Sequence, residues 1–112
     1  MDRDRKRWEK TIALDFDNVI HDYKGELTPA CTGPPVPGAI EGMKALLERG
    51  FFLVVFTARE ELGPIVQWLA KYGLYVDLET LVVTNHKPKA LVYVDDRAIR
   101  FTDWADLCLY FY

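Results

Sequence analysis

Two hydrophobic rhythms alternate along this chain. Near-continuous apolar runs fall at Thr11–Phe16, Phe51–Phe56, Leu81–Thr84 and Ala90–Val94. Between them the spacing turns helical: Ile40, Met43 and Leu47 share a face within Ala39–Arg49, and Leu62, Ile65, Val66 and Leu69 share another. Runs without polar alternation fit strands covered on both faces, which is the pattern of a parallel sheet. Strands alternating with helices predict an α/β fold. The expected architecture is a Rossmann-like three-layer sandwich, with a mostly parallel sheet of about five strands. Leu107–Tyr112 supplies the fifth strand, closing an edge. Gly25, Pro29, Gly33, Pro34, Pro35, Pro37 and Gly38 make residues 20–38 a loop. Gly50 and Gly73 stop the two helices, and Pro64 is tolerated in the first turn of the second.

Composition narrows the class. With 112 residues, half of them hydrophobic, the chain is expected to form one domain over residues 1–112 with a real core. A formal charge of -3 gives no indication of bulk nucleic-acid binding, although a nucleic-acid substrate stays open. Cys31 and Cys108 form neither a metal-spaced pair nor a disulfide framework, so both are expected as reduced thiols in the cytoplasm, with Cys108 buried. No apolar stretch is long enough to span a bilayer. The basic residues 1–7 lack the apolar segment of a secretory signal, and with Asp2, Asp4 and Glu9 they read as a solvated arm. Trp8, Trp68, Trp104, Tyr110, Phe111 and Tyr112 are expected to pack the core and edges; an oligomer contact at Leu109–Tyr112 stays open.

Candidate chemistry gathers at the strand ends. Asp15 and Asp17 close the first run, and a spacing of two in extended chain points both side chains the same way. Two neighbouring acids resist ionising together, and a hard cation such as Mg²⁺ relieves them. Asp95 and Asp96 repeat the arrangement after the fourth run. Thr57 ends the second run, where a hydroxyl and the following amides make an anion cradle or a helix cap. Lys87 precedes Pro88, which holds it extended; a charge beside a phosphate or a solvated loop lysine are its two readings. Arg59, His21 and His86 read as solvated loop residues. Parallel strands share one carboxyl edge, where ligands bind. The topology therefore brings these distant residues together.

In the order Asp15-x-Asp17, Thr57, Lys87, Asp95-Asp96, these residues resemble the four motifs of the haloacid dehalogenase-like superfamily of phosphohydrolases. The resemblance spans nearly the whole chain. Val36–Ile40 and Val94–Phe101 look like the corresponding stretches of small members from bacterial and phage genomes. It implies that Asp15 is a nucleophile and Asp17 a general acid/base. It implies that Thr57 and the Ala58 amide hold phosphoryl oxygens and that Lys87 balances charge. Mg²⁺ would rest on the Asp15 and Asp95 carboxylates and the Asp17 backbone carbonyl, with Asp96 in support. Asn18 stands where the family carries glycine. The gaps between motifs hold no separate cap domain, so the resemblance is to capless members with open sites. A neighbouring subunit, or the loop Thr32–Pro37 acting as a flap, is left as a cover. The implied activity is Mg²⁺-dependent hydrolysis of a phosphomonoester: a nucleotide, sugar phosphate, polynucleotide 3′-phosphate or phosphoprotein. Two other classes compete. A receiver-like phosphoacceptor domain carries its acidic pair first, the reverse of the order here. A catalytically silent binding or assembly module would not need every motif position filled.

Overall fold

The computed structural model describes residues 7–23, 25 and 30–111. A short 3₁₀ turn, Arg7–Lys10, leads into strand β1 (Thr11–Asp15). Then come helix α1 (Ala39–Glu48), β2 (Phe52–Phe56), α2 (Gly63–Lys71), β3 (Leu81–Thr84), β4 (Val92–Val94) and α3 (Trp104–Leu109). The four strands form one all-parallel sheet in the order β3-β2-β1-β4. The fold is α/β, a Rossmann-like sandwich.

The period-two rule of strands decides what the helices cover. Ile12 and Leu14 of β1, Leu53 and Val55 of β2 and Leu81 of β3 lie on one face. Met43 of α1 and Ile65, Trp68 and Leu69 of α2 pack onto them. Right-handed crossovers place both helices on that side. Ala13 and Val54, on the opposite face, are also buried, which explains the unbroken apolar runs. Each large side chain buried here contributes roughly 1.5–3 kcal/mol.

Both helices stop where expected. The Gly50 N–H bonds to the Leu47 carbonyl at 3.0 Å with φ 87°, a left-handed C-terminal position that costs glycine little. From β3 the chain reverses direction and lays β4 on the far side of β1. That reversal opens a crevice between the carboxyl ends of β1 and β4. Among the described residues nothing forms a separate cap, and no helix is long and apolar enough to cross a membrane.

Among the described residues the sheet has four strands, in keeping with a sheet of about five. Of the last strand expected at Leu107–Tyr112, Leu107, Cys108 and Leu109 instead end helix α3, and Tyr110 and Phe111 form a turn. The Asp103 side chain accepts the Asp106 N–H at 2.9 Å and caps that helix, a local bond that outweighs the strand propensity of Leu107–Tyr110. Tyr112 lies outside the described residues. Because α3 buries none of its residues, Cys108 is exposed rather than buried, and so are Trp104, Tyr110 and Phe111. Of the described members of the aromatic set, only Trp68 is buried in the core, while Trp8 is half-buried under the Lys89 ammonium.

Candidate functional site

β1 and β4 end side by side, and their terminal acids meet. Ligand oxygens of Asp15, Asp95 and Asp96 all lie within 4.8 Å of one another. Asp15 is half-buried, and the other two are exposed. Burial, first, and then the charge of Asp95 push the Asp15 carboxyl from 3.8 up to about 6. The Phe16 backbone amide opposes the shift, and Asp96 adds to it. Three carboxylates at this distance offer only oxygen ligands, the donor set of a hard divalent cation.

The raised Asp15 value has a consequence for the metal-free protein. Between about pH 4 and about pH 6 the folded chain binds more protons at Asp15 than the unfolded chain, so stability falls as pH rises through that window. In EDTA, Asp15→Asn is therefore expected to raise the melting temperature clearly at about pH 7 and little at about pH 4. Thermal unfolding of both proteins at both pH values checks this. An equal gain at the two pH values would contradict it.

Asp17 lines the same cleft, but its carboxylate is held by other partners than the acidic cluster. Arg59 grips its carboxylate with two bonds, Nε to Oδ2 at 2.9 Å and Nη2 to Oδ1 at 3.0 Å. His21 Nδ1 lies 3.0 Å from the same Oδ1. Burial opposes ionisation of Asp17, but its bonds to Arg59 and His21 hold the carboxyl below the usual range.

Neither Arg59 nor His21 is the solvated loop residue that its sequence context suggests. His21 is buried, stacked on Phe16 with ring centres 5.0 Å apart and meeting the Trp68 ring edge-on. Its Nε2 accepts the Gly33 N–H at 3.0 Å, so the proton sits on Nδ1 and is donated to Asp17. The Trp68 indole donates to the Gly33 carbonyl at 3.1 Å. The loop Thr32–Pro37 is thus sewn to the Asp17 turn rather than hinged as a flap; Asp22 N–H to Pro34 and Val36 N–H to Ile20 add further stitches. The overlooked signal was the four-residue spacing Asp17–His21 next to the apolar Ile20. His86, by contrast, is exposed as expected.

Thr57 follows β2 and is buried; its Oγ1 accepts the Arg59 N–H at 3.1 Å, closing a tight turn at the strand end. That turn also aims Arg59 back toward Asp17. Asn18 has φ 67°, a left-handed position where asparagine is the best substitute for glycine. Its side-chain oxygen accepts the Tyr23 N–H at 3.1 Å. Asn18 therefore sustains the turn that follows Asp17. Lys87 lies in an exposed loop with its Nζ 4.8 Å from the Tyr93 ring centre. Asp15, Asp17, Thr57, Ala58, Lys87, Asp95 and Asp96 all line a single open cleft of about 1170 Å³.

No family model matches the chain, and no curated protein matches it. Among solved structures it is similar to a conserved protein from Bacteroides thetaiotaomicron, at 26% identity and a TM-score of 0.65. The match covers 88% of this chain and 86% of the other.

Proposed function

We propose that this chain is a Mg²⁺-dependent phosphomonoesterase of the haloacid dehalogenase-like kind, working through a phosphoryl group carried on Asp15. One observation carries the reading: acids from β1 and β4, a hydroxyl from the end of β2 and an ammonium from the β3–β4 loop converge on one cleft. The oxygen-only donor set of Asp15, Asp95 and Asp96 fits Mg²⁺, which when bound offsets the charge of the phosphoryl group.

The Asp15 carboxylate attacks phosphorus, forming an acyl phosphate as the bond to the leaving oxygen breaks. Asp17 gives its proton to that oxygen, then accepts one from the water that attacks phosphorus and frees Asp15. Held ionised by Arg59 and His21, Asp17 is set for the second of these steps. The first requires Asp17 to be protonated and Arg59 to let go. Thr57 Oγ1 and the Ala58 N–H bind the phosphoryl oxygens, and Lys87 supplies positive charge.

An open cleft without a cap suits substrates that extend beyond it, such as a polynucleotide end or a phosphoprotein. Thiols at Cys31 and Cys108 suit a reducing, cytoplasmic setting. The test is phosphate release from p-nitrophenyl phosphate and from a panel that includes 3′-phosphorylated oligonucleotides. Turnover is expected with Mg²⁺, lost in EDTA and restored by added Mg²⁺. Release indifferent to EDTA, or none from any substrate, contradicts the reading. Label that stays on the protein for long periods would favour a phosphoacceptor domain instead.

A further inference from the structure

β4 is an edge strand, bonded to β1 on one side and to no strand on the other among the described residues. Natural edges are blunted by lysine, proline, a bulge or a covering element. Val92-Tyr93-Val94 carries none of these within it. Val92 and Val94 share the face of Ile12 and Leu14, yet they are 45% and 40% exposed, because α1 and α2 cover β1 to β3 and stop short of β4. The next helix does not make good the deficit: α3 buries no residue, and Trp104 is 71% exposed. Of the exposed large hydrophobic side chains, three lie at Tyr75–Leu78 and all the rest fall between Leu91 and Phe111. A water-facing surface of this kind marks an interface.

We propose that a second copy of this chain occupies it, with the two β4 strands paired antiparallel about a two-fold axis and the α3 segments closing over the bare apolar face. The charges flanking β4 select this partner and this direction. Lys87 and Lys89 precede the strand, and Asp95 and Asp96 follow it. Antiparallel pairing sets the basic end of one copy beside the acidic end of the other, twice. Parallel pairing would set like against like. A two-fold contact also uses both open β4 edges at once and leaves neither for a third chain. The result is one continuous sheet in the order β3-β2-β1-β4-β4-β1-β2-β3, with the acidic clefts of the two copies flanking the junction. The contact shares Lys87, β4, Asp95 and Asp96 with the lining of the cleft, but its test reads mass and does not depend on phosphatase turnover.

Sedimentation equilibrium of the full chain tests it. The expected mass is twice 12.9 kDa at micromolar concentrations. Val92→Lys, at the strand, and Leu109→Glu, on the exposed helix, are each expected to weaken association at least about tenfold with unchanged far-UV circular dichroism; 1.4 kcal/mol corresponds to that factor. Leu109→Glu keeps the test valid should Val92→Lys disturb β4. A wild-type mass of one chain at every concentration overturns the proposal, as does a mass climbing past two chains. So does a dimer that neither substitution weakens.

Discussion

Replacing Asp15 with Asn is expected to reduce Mg²⁺-dependent phosphate release by at least about a thousandfold, or roughly 4 kcal/mol in the barrier. The substitution keeps size and shape and removes only the negative charge that, in the proposed mechanism, attacks phosphorus. Asp15 is also one of the three carboxylates grouped within 4.8 Å, so its loss weakens the cation site as well. The two effects separate by experiment. Asp96→Asn removes a neighbouring carboxylate but leaves the nucleophile, so raising Mg²⁺ should rescue it and should not rescue Asp15→Asn. The fold does not suffer: removing the half-buried charge relieves first its burial and then the repulsion from Asp95 that together hold Asp15 near 6, so the metal-free variant is at least as stable as the parent. Activity and stability therefore move in opposite directions, a pattern that no general folding defect produces.

Gly33→Ala is expected to lower stability by about 3 kcal/mol and to impair turnover with it. A Cβ at position 33 would lie 2.0 Å from the Asp22 backbone oxygen and 3.0 Å from His21 Nε2. The first neighbour is main chain and cannot rotate aside. The second is the acceptor of the Gly33 N–H, so any shift of the loop loosens His21 and with it the Asp17 carboxylate. Trp68 loses its carbonyl partner in the same movement. Urea unfolding measures the first effect and steady-state kinetics the second. Gly42→Ala serves as the contrast: it lies inside α1 with nothing within 4 Å of the added methyl. That change is expected to stabilise by nearly 1 kcal/mol. Equal effects at the two glycines would contradict the account of the Gly33 stitch.

The contrast between these positions shows where the amino-acid pattern was legible and where it was not. Apolar runs reveal β1 to β3 because sheet neighbours and helices cover those strands, and β4 by its composition although its residues are exposed; the strand-end acids follow from the parallel arrangement. Asp15 and Asp95 meet because β1 and β4 are adjacent and run the same way. What periodicity misses is the tertiary capture of a polar side chain. Arg59 and His21 sit in polar stretches that look solvated, yet both close on Asp17, forty-two and four residues away. Nothing local announces the bond from Arg59, whereas the four-residue Asp17–His21 spacing is a local signal for the other. The last element fails for a different reason. Leu107–Tyr110 has strand-like composition, but Asp103 and Asp106 fix a helical turn through one side-chain bond. With no partner strand there to reward extension, the local bond decides the outcome.

The proposed chemistry requires the Asp15 carboxylate to take up phosphorus. Intact-mass measurement after acid quench, during turnover of a phosphorylated substrate with Mg²⁺, addresses this directly. Asp17→Asn, which slows release of the bound group, is the form in which it should accumulate. The expected result is a protein heavier by one phosphoryl group, the addition mapping to Asp15 and cleaved by hydroxylamine. Steady turnover with no such adduct, or an adduct on any other side chain, would contradict it.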